Sequence, residues 1–225
     1  MKGIASQAEP IAVIILTVVG LALALSVWAW VNASIGSVSR DAILTQYLAF
    51  ERAREYINLL ASGETTSGQR EYVVELLHIT VTERRWFAFI LLVNRADQPN
   101  LVDPVATAAL NEGYYAGRVK IYVLQPSTTG SYILNATAVR NLTLSPRDVI
   151  LVDGRDLTAY GLNATNRIAL FMVDEYFTGI GDPTPQAVVS IRIDPRLIPE
   201  NGRIVLVTLT SFNGHWYEVA RLILP

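Results

Sequence analysis

The chain contains no cysteine, and among its 225 residues there are only two histidines, His78 and His215, and two methionines. Without cysteine there is no disulfide framework, no thiolate metal site and no cysteine nucleophile. Two histidines so far apart in sequence argue against a histidine-rich metal site. Charge is sparse at 17% of residues, and the net value of −2 gives no electrostatic case for nucleic acid. Lysine is almost missing: Lys2 and Lys120 are its two occurrences, and arginine carries the rest of the positive charge. Neither a Gly-x-Ser-x-Gly elbow nor a phosphate-binding glycine loop occurs. The expectation is a protein that is not an enzyme, with no cofactor, no metal and no nucleic-acid partner.

What the chain does have is apolar residues, 51% of the total, concentrated at the N-terminus. Residues 11–31 run "IAVIILTVVGLALALSVWAWV" without a charge. At 1.5 Å per residue such a helix is about 31 Å long, close to the hydrocarbon thickness of a bilayer. A cleaved secretory signal would need a shorter apolar core and a small-residue approach to the cut, and "SVWAW" is neither. An uncleaved anchor fits fully. Lys2 before the segment and Arg40 as the first charge after it favour the N-terminus inside and the remaining residues outside. Trp28 and Trp30 fall where the helix would meet the interface.

The preface reads "MKGIASQAEP". Its Lys2-Gly3-Ile4-Ala5, followed by a polar spacer, Pro10 and the charge-free helix, resembles the class III signal sequence of the archaeal type IV pilin-like family, which includes archaellins. The resemblance covers roughly the first 35 residues. It implies a signal peptide of residues 1–3, cut between Gly3 and Ile4 by a prepilin peptidase, with the hydrophobic helix retained. It further implies extraction from the membrane by pilus assembly machinery and polymerisation into a helical filament of identical subunits at the cell surface. Bacterial members carry a glutamate at the fifth mature position; Glu9 would be the sixth here, so it departs from the pattern by one place. Glu9 also reads as a helix N-terminal group, either closing a Ser6–Glu9 capping box or capping a helix that opens at Pro10.

Helical spacing continues past the apolar run. Residues 31–40 are softer and include Gly36, a place for a bend. Beyond them Ile43, Tyr47, Phe50 and Ile57 recur at helical intervals, with Asp41, Thr45, Glu51, Arg52, Glu55 and Asn58 on the other side. The expectation is an N-terminal helix over residues 4–62, with its transmembrane or filament-core part at 11–31 and an amphipathic part at 38–60 lying on the head. "SGETTSG" would end it.

The head, residues 69–225, changes to a period of two. "VVSIRI" and "RVKIYVLQ" alternate, and two strands flank Asn213-Gly214, the strongest short hairpin signal. Eight or nine short strands punctuated by turn residues suggest an α+β protein in which a long helix precedes an antiparallel β-sandwich. "VATAAL" within residues 101–117 is the exception, a short helix or an excursion.

Carboxylates give weak signals. Asp153 and Asp156 lack the spacing of an EF-hand and read as turn residues. Asp174-Glu175 reads as a solvated strand end. One motif is enriched: Asn-x-Ser/Thr occurs at Asn32, Asn135, Asn141 and Asn163, against roughly 1.4 matches expected by chance from eleven asparagines. These four are candidate N-glycosylation acceptors, and the three in the head favour an external location for it.

The resulting expectation is a structural subunit of an extracellular pilus-like filament, inserted in the membrane before assembly and exposing its head for adhesion. The alternative is a monomeric membrane-anchored β-sandwich, serving as a binding module or as an archaellum accessory.

Overall fold

The computed structural model describes residues 5–79, 85–94, 102–126, 132–136, 139–174 and 186–225. The chain divides into two compact units, Met1–Tyr47 and Leu48–Pro225. The architecture is α+β: one long helix, then two sheets that are mostly antiparallel.

Helix α1 spans Ala5–Arg52 and accounts for the described part of the first unit. Its backbone stays helical through Gly36, so the softer stretch does not interrupt it. It ends eight residues before the expected amphipathic segment does. Ala53 and Arg54 close the last turn on the carbonyls of Ala49 and Glu51, and the chain then enters strand β1, Glu55–Glu64. The second unit therefore begins at Leu48 rather than at residue 69, and it includes a strand where a helix was expected. The reason is pairing. β1 runs antiparallel to β2 (Arg70–His78), from Glu55 opposite His78 to Glu64 opposite Arg70, with one irregularity between Leu59 and Ala61. Within the second unit's share of the helix, Leu48 is buried and Phe50 is 50% exposed.

The remaining elements are β3 (Arg85–Asn94), α2 (Pro104–Tyr115), β4 (Val119–Pro126), β5 (Tyr132–Asn135), β6 (Val139–Leu144), β7 (Val149–Ile150), β8 (Ile168–Asp174), β9 (Gln186–Ile193), β10 (Gly202–Phe212) and β11 (His215–Leu224). A five-stranded sheet has the order β1-β2-β9-β4-β5, and a six-stranded sheet the order β6-β8-β3-β10-β11-β7. Every pairing is antiparallel except β11 with the two-residue β7. The expected hairpin forms: Phe212 faces His215 across a two-residue turn in which both Asn213 (φ 50°) and Gly214 (φ 83°) take positive φ. That geometry suits Asn-Gly because its twist matches the strands it joins.

Two apolar clusters hold the unit together. One draws on both sheets: Tyr72, Val74 and Leu76 from β2, Val189 and Ile191 from β9, and Trp86, Ala88, Ile90 and Leu92 from β3. The other takes the alternate residues of β3, Phe89, Leu91 and Val93, with Val205, Val207 and Leu209 of β10 and Leu157 and Leu162 from a connecting segment. Both faces of β3 and β10 are thus covered. This explains why "FAFILLV" and "IVLVTL" read as unbroken apolar runs rather than alternating ones.

Helix α2 is the short helix that "VATAAL" suggested. Asp103 caps it by accepting from the Ala106 amide at 2.8 Å, and Pro104 occupies its first turn. Its buried Thr107 accepts from the Leu92 amide, and its buried Asn111 accepts from the Ala169 amide. The helix thereby satisfies backbone groups of β3 and β8.

Candidate functional site: the exposed apolar span

The feature that sets this chain apart is the first half of α1. Leu16–Ser34 is 19 residues long with a mean hydropathy of 1.8, and none of it is buried within the protein. Leu16 is 79% exposed, Trp28 66% and Trp30 71%. The apolar character runs all round the helix, with no polar face. The polar residues here are met locally: Ser26 donates to the Ala22 carbonyl at 2.8 Å. By length and composition the helix can cross a membrane. Gly20 has open space where a Cβ would stand, so the helix surface there is free for close approach.

The residues of the preface fare differently. Gly3 and Ile4, the expected cleavage pair, lie outside the described residues. Glu9 and Pro10 are already within the helix, since the backbone is helical from Ala5. The expectation that Pro10 opens the helix is therefore corrected. Pro10 is the sixth helical residue, so it has no N–H to reach back to the Ser6 carbonyl and leaves that one bond of the ladder unmade. Asn32 lies inside α1 and is exposed.

Where the second unit begins, three acidic or basic groups that the helical reading placed in solvent or left unassigned are buried: Glu51, Glu55 and His78. Glu55 and His78 face each other in the β1–β2 register, and His78 Nε2 lies 3.7 Å from Glu51 Oε2. Arg52 donates to the Glu218 carbonyl at 3.1 Å, and the Arg54 guanidinium lies 3.7 Å above the Phe50 ring. The missed signal was the alternation in "EYINLL", where Ile57 and Leu59 are the less exposed residues and Tyr56, Asn58 and Leu60 the exposed ones.

On the six-stranded sheet, Glu218 is 3% exposed and is held by Arg221, whose Nη2 stands 2.6 Å from Oε2, and by the Val152 amide at 2.9 Å. The hydrogen bond to Glu218 raises Arg221 above its ordinary range. On the five-stranded sheet, burial works to raise Glu71, but hydrogen bonds from Ser190 and Arg192 and the charge of Arg192 outweigh it and hold the carboxyl low.

The remaining sequence candidates have structural roles. Asp156 accepts from the Thr158 and Ala159 amides and caps a 3-10 turn over Leu157–Tyr160; these bonds, led by the Thr158 hydroxyl, lower its carboxyl. Asp153 accepts from the Tyr160 hydroxyl and the Arg155 amide. Burial and that contact push Tyr160 up to about 12. His215 is exposed beside the Tyr217 ring. Asp174 ends β8, and Glu175 lies outside the described residues. Among the described residues, no three His, Asp or Glu side chains are grouped to hold a metal ion. Asn135 ends β5 and donates to Gln125 Oε1 at 3.1 Å; Asn141 stands within β6 and accepts from the Tyr114 hydroxyl; Asn163 is exposed in a turn.

No family model, curated protein or solved structure matches this chain.

Proposed function

We propose that this protein is a structural subunit of a type IV pilus-like filament on the outside of the cell. Prepilin peptidase cuts after Gly3, and the mature chain begins at Ile4. The apolar span sits in the membrane until assembly, then packs against the same span of neighbouring copies along the filament axis. The two sheets form a β-sandwich head on the filament surface, exposed for adhesion.

The observation that carries this reading is the 19-residue span in which no residue is buried. Lipid and a bundle of like helices are the two surroundings that satisfy such a surface, because both are dry and every backbone group is already bonded within the helix. Small residues four apart, such as Gly20 with Ala24 and Ala29 with Ala33, permit close helix approach. The core cluster shared by both sheets supports the sandwich.

Mass spectrometry of the protein from its own cells tests the processing step, and electron microscopy of sheared surface material tests the assembly. The expected result is a chain beginning at Ile4 and recovered in filaments. A chain that keeps its first residues and is found singly in the membrane fraction would replace this reading with that of an anchored outer-face module.

A further inference from the structure

The four Asn-x-Ser/Thr motifs are alike in sequence but not in structure. Asn32 lies inside a helix. Asn135 is tied by its side-chain nitrogen to Gln125 at the end of β5. Asn141 lies in the middle of β6, with its oxygen engaged by the Tyr114 hydroxyl and its backbone aligned with Phe171 of β8. Asn163 alone of the four stands in a turn. Its own amide donates to Asn166 Oδ1 at 2.7 Å, and the Asn166 amide returns to the Asn163 carbonyl at 2.9 Å. Its side-chain oxygen accepts from the Thr165 amide at 3.1 Å. That bond draws the asparagine and the hydroxyl residue of the motif together and occupies the oxygen of the carboxamide, while the nitrogen has no partner among the described residues. Asn163 and Thr165 are both exposed. Thr165 also lines an open groove of about 500 Å³ shared with Tyr115, Glu112 and Arg167, so the motif is approachable from outside.

We propose that Asn163 is the residue of the head that carries an N-linked oligosaccharide, and that Asn32, Asn135 and Asn141 remain unmodified. The donor is an oligosaccharide carried on a lipid phosphate and transferred by a membrane oligosaccharyltransferase. The Asn163 side-chain nitrogen attacks the first sugar carbon, and a nitrogen–carbon bond forms. The carbon–oxygen bond to the lipid phosphate breaks, the phosphate leaves with the electron pair, and the nitrogen's proton passes to a base of the transferase. An exposed turn can enter such an active site without unfolding, whereas a strand paired along its length or an intact helix cannot. The proposal rests on the outward placement of the head in the proposed function, but not on filament assembly.

Trypsin separates the head motifs, placing Asn163 alone in the peptide of residues 156–167. Mass spectrometry of the protein purified from its own cells should show that peptide shifted by one oligosaccharide and the peptides carrying Asn32, Asn135 and Asn141 at their bare masses. Asn163→Gln and Thr165→Ala should each abolish the shift, and Asn141→Gln should leave it. A bare 156–167 peptide, or a sugar on any of the other three, overturns the proposal. Protease digestion of intact cells distinguishes the two ways a bare peptide can arise. If the head is cleaved, the acceptor assignment alone is wrong. If it is protected, the outward placement fails and takes the filament reading with it.

Discussion

At the scale of single residues, the head uses its acids as bonded groups rather than as free surface charge. Glu71, Asp153 and Asp156 are all held below their ordinary range, although burial pulls Glu71 and Asp153 the other way. A carboxylate whose value is lower folded than unfolded contributes stability above its unfolded value, about pH 4, and that contribution is lost as the pH falls through the depressed value. The denaturant midpoint of the detergent-solubilised chain should therefore hold from pH 7 to about 5 and decline below about 4. Glu71→Gln should flatten part of that decline and leave the share belonging to Asp153 and Asp156. An acid limb unchanged in Glu71→Gln would show that the Ser190 and Arg192 bonds contribute nothing measurable. Tyr160, raised to about 12, acts at the opposite end: it favours the folded state fully below its ordinary value of about 10, and loses that effect as the pH rises through about 12.

At the scale of elements, α2 shows how a short helix is fixed by polar contacts as much as by apolar ones. Asn111 is buried, donating to the Thr107 carbonyl at 2.8 Å and accepting from the Ala169 amide at 2.8 Å. Asn111→Ala leaves the Ala169 amide of β8 with no acceptor, a cost of about 1–3 kcal/mol. Urea titration should show that loss with an unchanged slope, and a shift well below it would mean that water or a neighbouring carbonyl replaces the lost oxygen. Nothing in the sequence advertised this role, because an asparagine within "ALNEGYY" reads as a solvent-facing residue. The alternating strands, the Asn213-Gly214 hairpin and the apolar first half of α1 were legible because each is decided locally. The end of α1 was not. "AFERAREYINLL" is rich in strong helix formers, and Ile57 fits helical and strand spacing alike. The alternation of residues 55–60 is too short to decide between the two, and what makes residues 55–64 a strand is the register with β2, shifted once between Leu59 and Ala61. The same blindness placed Glu51 and Glu55 in solvent, where the fold buries both.

At the scale of the whole molecule, the two units differ in what they bury. Leu48–Pro225 gathers apolar side chains into two buried clusters. The span in the first unit has no buried residue. A charge in the middle of that span should be felt only there: Leu23→Arg costs about 3–4 kcal/mol on insertion, whereas Leu23→Ala costs little. Fractionation should find the arginine variant depleted from membranes and absent from sheared filaments, with its head still resistant to proteolysis. Filaments at the wild-type level in Leu23→Arg would mean that assembly does not run through this segment.

β1 and β5 bound one sheet and β6 and β7 the other, and a fibre would crowd these open rims together at very high local concentration. β1, the longest of the four, is broken in step between Leu59 and Ala61, and β7 is two residues long. Neither offers a neighbour the even ladder that a cross-β stack needs. In the proposed filament, strand-to-strand addition of one head to the next through β1 or β7 would therefore be disfavoured.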